Sequence, residues 1–263
     1  MGVVYHGSKE HGLKRLEPRE STHGSYVYAT PEKVLALHFS GRSGDDLTYA
    51  LGHFEGKDGP WILVENIPGA FERMYLNDSS IYTLPDDTFE DKHTGFSEVL
   101  SEEGVDVLEE EYCPSVFEGI IEAEKQGLLK IYRYPNKPTS FKPDGSDIID
   151  KWRWMTKELG HKFDQNSFER LFYLRPNLLT QINELAKELN VDVHFEESDY
   201  VSIFERRIQR QLNNPDNEQY VESAYLMAVE AFPELKEELD PLLEEYKKAE
   251  DIQPKANIQM RRW

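Results

Sequence analysis

The chain has 263 residues, enough for one large domain or two modest ones, each with its own core. Apolar residues make up 38% of it and aromatic ones 12%, which excludes a disordered tail, and no run of about 18 apolar residues exists to cross a membrane. The net charge of −20, spread over both halves, excludes the clustered Lys and Arg with which DNA- and RNA-binding domains displace counterions.

The first half alternates short apolar runs with turn residues. Strands are predicted at Gly2–His6, Tyr26–Ala29, Trp61–Glu65, Ile81–Leu84, Glu98–Leu100, Val105–Leu108 and Leu128–Tyr134, most of them bounded by Gly, Pro, Asp or Ser. Thr30-Pro31-Glu32 reads as a helix start, with Thr30 as cap and Pro31 in the first turn. Ser115 reads as the cap of a second helix running through Phe117, Ile120 and Ile121 to a stop at Gly127. Short strands with few long helices predict a mixed or antiparallel sheet.

Around residues 136–145 (NKPTSFKPDG) the composition shifts to that of a linker, and the apolar spacing beyond it becomes helical. Ile148, Trp152 and Met155 begin a stripe that Phe168, Leu171, Phe172, Leu178, Leu179, Ile182 and Leu185 continue. Further helices are predicted over Tyr200–Leu212, Glu218–Phe232 and Leu235–Ala249. The expected division is a first domain over 1–138, an all-helical domain of unknown role over 146–250, and a polar tail over 251–263. The opening residues lack the charged and apolar regions of a secretory signal, so a cytoplasmic location is expected.

Two segments carry the chemistry. Val4-Tyr5-His6-Gly7-Ser8 ends one strand, and Tyr26-Val27-Tyr28-Ala29-Thr30 ends another and leads through Pro31-Glu32 into an Ala/Leu-rich helix. A histidine at a strand end can hydrogen-bond a ribose hydroxyl, and a following glycine lets backbone approach a ligand closely. A serine adds a hydroxyl, and a tyrosine ring can stack on a planar base. Each residue also has an ordinary structural use, as a satisfied core histidine or a cross-strand packing tyrosine; it is the ordered combination that points to a site.

This pair of segments resembles the opening of ADP-ribosyltransferase-type domains of the His-Tyr-Glu kind, including the rifampin ADP-ribosyltransferases. The likeness is clear over residues 3–40, loose over 41–135 and silent beyond 140. It implies an α+β fold of split mixed or antiparallel sheets with short helices, followed here by the all-α part. It also implies NAD as substrate, with His6, Gly7, Ser8, Tyr28 and Thr30 binding it: His6 at the adenosine-side ribose and Tyr28 on the nicotinamide. The family normally adds an acid from a late strand, which orients the nicotinamide ribose 2′-hydroxyl and steadies positive charge on the sugar. Glu98 is the choice here; Glu102, Glu103, Glu109, Glu110, Glu111 and Glu118 are rivals. Phe96 stands where arginine-specific transferases carry an acid or amide, which argues against arginine as acceptor.

Other chemistry has less to stand on. The histidines make no metal-binding spacing such as HExxH, Asp45-Asp46 and Asp86-Asp87 make no calcium-loop ladder, and neither a Rossmann fingerprint, a P-loop nor a Gly-x-Ser-x-Gly elbow occurs. Cys113, the single cysteine, follows three glutamates that work against a thiolate. Arg206, Arg207 and Arg210 form a basic helical face, read as solvated and salt-bridged. The expected function is therefore NAD-dependent mono-ADP-ribosyl transfer to an unknown protein or small-molecule acceptor, without metal; a phage or toxin setting follows by analogy only. The alternatives are NAD hydrolysis, RNA 2′-phosphate transfer (disfavoured by the charge), or a non-catalytic nucleotide-binding or acidic protein-interaction module.

Overall fold

Apolar and polar residues alternate through the start of the chain, and the backbone there is strand: β1 (Val3–Ser8), β2 (Arg15–Leu16), β3 (Arg19–Ser21) and β4 (Gly24–Ala29). Then come α1 (Lys33–Phe39), β5 (Tyr49–Gly52), β6 (Trp61–Glu65), α2 (Ala70–Met74), β7 (Ser79–Pro85), β8 (Val99–Ser101), β9 (Val105–Asp106), β10 (Glu109–Cys113), α3 (Val116–Lys125) and β11 (Leu129–Tyr132). The rest is helical: α4 (Asp147–Leu159), α5 (Gln165–Leu174), α6 (Leu179–Glu188), α7 (Asp199–Asn213), α8 (Val221–Ala231) and α9 (Lys236–Ile252). This computed structural model describes residues 2–21, 24–41, 44–56, 59–93, 97–215 and 217–252. His23, Phe96 and all but the first two residues of the expected tail lie outside them. No helix among the described residues is long and apolar enough to cross a membrane.

The protein is thus mixed α and β, with several small sheets, and it divides into two units. The first comprises Met1–Ser43, Gly56–Ile62 and Glu72–Ile131; the second comprises Gly44–Glu55, Leu63–Phe71 and Tyr132–Trp263. In the first, antiparallel pairing gives sheets of order β1–β7–β10 and β3–β4–β8 and the short pair β2–β9. Val4, Val27, Ala29, Tyr82, Leu84 and Val105 from these strands make one buried cluster. Helix α1 packs on β1 at Gly7, where a Cβ would stand 1.9 Å from the Ala36 carbonyl oxygen. That is no room for any other residue, so Gly7 has a packing reason independent of any ligand.

Ser115 caps α3 as its sequence predicts, accepting from the Glu118 N–H at 3.2 Å, and Gly127 follows the helix end with φ 74°. Thr30 does not cap α1. The N-cap is Glu32, without a side-chain cap bond, because both backbone groups of Thr30 are taken up by Tyr5 and its hydroxyl accepts from the Glu32 N–H.

In the second unit the helices bury an aromatic centre of Phe172, Tyr173, Tyr200, Phe204 and Phe232. Trp152 stacks on Phe163 with centroids 3.9 Å apart, while Trp154 is half exposed. Arg206 and Arg207, from the basic face, share Glu169 at 2.7 and 2.9 Å, and Arg207 is buried. Arg175 is buried too, donating to the carbonyls of Asn66 and Leu47; burial lowers its pKa to about 10.

His38 is the buried histidine of the first unit, with Nδ1 2.5 Å from the Tyr75 hydroxyl, and burial pushes its pKa down from 6.5 to about 4. A folded value below the unfolded one means that the native state binds fewer protons in between, so stability falls as pH drops from about 6.5 towards 4. The loss from this one residue is on the order of 3 kcal/mol. Urea unfolding at pH 6.5, 5 and 4 should show a steeper decline for wild type than for His38→Gln, whose amide still reaches Tyr75. Parallel declines would show that His38 does not carry the effect.

Candidate active site

Strands β1 and β4 meet once and part. Tyr5 N–H donates to the Thr30 carbonyl at 2.8 Å and Thr30 N–H donates to the Tyr5 carbonyl at 2.9 Å, an isolated antiparallel bridge. Beyond it β1 pairs with β7 while β4 pairs with β3 and β8. Where a second rung would form, His6 Nδ1–H donates to the Tyr28 carbonyl instead, at 2.7 Å. A half-buried carbonyl needs such a donor, and the side chain supplies what the ladder no longer can. This bond fixes the tautomer: Nδ1 carries the proton and Nε2 is left as an acceptor without a hydrogen bond among the described residues. Burial holds the imidazole below its ordinary pKa of 6.5, outweighing the opposite pull of the Tyr28 carbonyl. His6 is therefore neutral at pH 7, a hydrogen-bond acceptor rather than a cation.

Tyr28 follows from the pleat of β4. Val27 and Ala29 point into the core, so Tyr26 and Tyr28 project from the other face, half-buried, with their rings edge to face at 6.2 Å. The Tyr28 hydroxyl turns back to donate to the Gly24 carbonyl at 3.2 Å. Across the pair, Tyr28 faces Leu100 and Ala29 faces Val99. Continuing that register by one residue brings Glu98, half-buried and just outside β8, level with Thr30. The pairing itself ends at Ala29 and Val99, so Glu98 lies directly beyond the last paired residue of β8 as Thr30 lies beyond that of β4. Ser8, at the end of β1, accepts from the Glu10 N–H at 3.1 Å.

The remaining acids sort by partner and face. Glu102 lies near Lys92 at 3.5 Å, Glu111 pairs with Lys33 at 2.5 Å, and Glu103, Glu109 and Glu118 are exposed. Glu110 differs. The register lines His6–Tyr82–Glu110 across β1–β7–β10 put it on the His6 face of that sheet. Its Oε1 accepts from Gly12 N–H at 2.8 Å and Ser80 Oγ at 2.7 Å, with Tyr82 Oη 3.2 Å away, and these bonds hold its carboxyl below the usual range. These donors make it the anchor of the loop after β1. That loop also brings His11 to Ser80 (Nδ1 to Oγ, 2.8 Å) and to Asp78 (Nε2 to Oδ2, 3.4 Å). The set is not a nucleophilic triad: Ser80 is fully buried and gives its proton to Glu110.

Sequence reasoning missed Glu32. Its carboxylate accepts from the Trp61 indole N–H at 2.5 Å and from the Ser97 hydroxyl at 3.1 Å, tying the segment that carries Glu98 to the start of α1. Only Ser97 next to Glu98 signalled this in the sequence, and nothing there linked it to residue 32, 65 positions away. Comparisons with protein-family models, with curated proteins and with solved structures find no match for this chain.

Glu32→Ala should loosen the segment, with backbone amides of Val99–Ser101 exchanging roughly tenfold faster, the loss of a charge-assisted hydrogen bond. Glu32→Gln, which can serve both partners, should exchange as wild type does. Hydrogen exchange read by mass spectrometry on the 97–101 peptide decides; unchanged exchange in Glu32→Ala means that Glu32 holds nothing there.

Proposed function

We propose that the first unit is an ADP-ribosyltransferase-like domain that binds NAD, releases nicotinamide and passes ADP-ribose to a nucleophilic acceptor. The observation that supports it is that β4 bridges β1 at Thr30 and pairs with β8 as far as Ala29 and Val99. His6, Tyr28 and the residue before β8, Glu98, thus belong to neighbouring segments although 92 positions separate the first from the last.

Each side chain has a task its environment suits. Neutral His6 accepts at Nε2 from a ribose hydroxyl. The Tyr28 ring offers a face to the nicotinamide, whose positive charge in NAD favours a π surface. Glu98 accepts from the 2′-hydroxyl of the neighbouring ribose and faces the positive charge that grows at C1′ as the C1′–N bond breaks. The bonding pair leaves with nicotinamide, which departs neutral. The acceptor's lone pair forms the new bond to C1′, and the acceptor's proton is lost to solvent or a base. With Phe96 two residues before Glu98, the carboxylate or amide that would steer a guanidinium is missing from the sequence, so the acceptor is of another kind.

Incubation with NAD should release nicotinamide, and Glu98→Gln should lower the rate by about 100-fold or more with little change in KM, as for loss of one transition-state contact. Tyr28→Ala should raise KM instead. Free ADP-ribose among the products would identify water as the acceptor. Equal rates for wild type and Glu98→Gln would remove Glu98 from the chemistry, and no release by wild type under any condition would overturn the reading.

A further inference from the structure

Two charged residues near this site remain unused. Arg19 lies in β3 opposite Tyr26, so its side chain shares the face that carries Tyr26, Tyr28 and Thr30. Successive same-face positions along β4 are about 7 Å apart. The face therefore reads in order: guanidinium at the Tyr26 row and the Tyr28 ring next, with Glu98 beyond the last paired residue of β8.

The Arg19 guanidinium is already occupied by an anion. Nη1 and Nη2 donate to the two oxygens of Glu10 at 2.9 and 3.1 Å, a two-pronged pair. Both side chains are largely exposed, at 70% and 53%. A pair in that setting is weak and readily exchanged. The fork that grips a carboxylate grips a phosphate equally well. Glu10 is delivered by an ordered loop: its carbonyl accepts from Tyr82 Oη at 2.8 Å, and the Gly12 N–H two residues on is held by Glu110. Both charges also act on the His6 imidazole, Arg19 lowering and Glu10 raising its proton affinity, so the pair lies within electrostatic reach of His6.

We propose that Arg19 is an anion subsite for the diphosphate of the bound dinucleotide, and that Glu10 fills it as an internal stand-in until the ligand displaces it. The proposal rests on the NAD reading above and adds to it how an anionic ligand is taken up. Binding exchanges one anion on the fork for another, so Glu10 competes with substrate and weakens its apparent affinity.

Two probes test it, ADP-ribose and inorganic pyrophosphate, with binding measured by calorimetry and NAD turnover measured alongside. Arg19→Ala should weaken ADP-ribose binding about tenfold or more and abolish the pyrophosphate heat, while leaving the affinity for nicotinamide alone unchanged. Glu10→Gln should bind ADP-ribose about twofold to fivefold more tightly, the gain expected from removing an exposed competitor. A misfolded variant cannot produce a gain, so the second substitution protects the first from a trivial explanation. Wild-type affinity in Arg19→Ala, or weaker binding in Glu10→Gln, overturns the subsite. Nicotinamide release that survives Arg19→Ala with unchanged KM leaves the reaction standing and removes the subsite. Arg19-dependent ADP-ribose binding without any nicotinamide release does the reverse. Failure of wild type to bind ADP-ribose removes both.

Discussion

The hydrogen bond from His6 to the Tyr28 carbonyl is the constraint on which the rest of the first unit's site depends. Two strands that had continued their ladder would have satisfied the Tyr28 carbonyl with the Gly7 N–H and left the His6 ring without that partner. Instead they share one bridge at Tyr5 and Thr30, and each then joins a different sheet. The carbonyl left behind is satisfied by an imidazole, and that single bond sets the tautomer and the direction of the other ring nitrogen, while burial sets the charge state. Gly7 is fixed from the other face, because α1 leaves no space for a Cβ there. The His-Gly pair thus answers two separate demands, one from a strand and one from a helix.

The same geometry distinguishes acids that composition alone leaves equivalent. Glu98 and Glu110 are both half-buried, and both stand near residues of the motif. Glu110 accepts from Gly12 N–H and Ser80 Oγ on one oxygen, so much of its charge is already spent on holding the loop after β1. A carboxylate so engaged is a poor partner for charge that appears only during a reaction. Glu98 sits at the mouth of β8, on a segment that Glu32 holds through Ser97. One glutamate is architectural; the other is the acid of the proposed reaction.

Much of the fold was legible because burial wrote it into residue order. Trp61–Glu65 is a strand over the residues its apolar run spans, and α5 to α7 bury the apolar residues Phe168, Leu171, Ile182, Leu185, Tyr200 and Phe204. β10 was not legible: Glu-Glu-Glu-Tyr-Cys carries no apolar alternation, and it is a strand because β7 offers it an edge. Thr30 misled for a related reason. Its side chain suits a cap, but its backbone is claimed by Tyr5, a contact 25 positions back that no local pattern reveals. Of the site, the residue types in the two motifs were legible, while the partners that orient them (Glu32 for the acid, Arg19 and Glu10 beside His6) come from distant positions and ordinary-looking charge.

On the proposed reading, an acidic chain takes up an anionic dinucleotide and must solve an electrostatic problem locally. With a net charge of −20 the field far from the surface repels such a ligand. That field is screened beyond about 8 Å at physiological salt, so the groups lining the site decide the outcome. His6, kept neutral by burial, adds no charge of its own. Arg19 supplies the cation, and while Glu10 holds it the pair is close to neutral, which keeps the approach to Tyr28 free of a strong field of either sign. A ligand that displaces the glutamate converts an internal pair into a protein–ligand pair at little net cost. In the proposed site, the acidic surface would then limit which anions stay bound to those that offer the fork two oxygens, the tyrosine a ring and Glu98 a hydroxyl all at once.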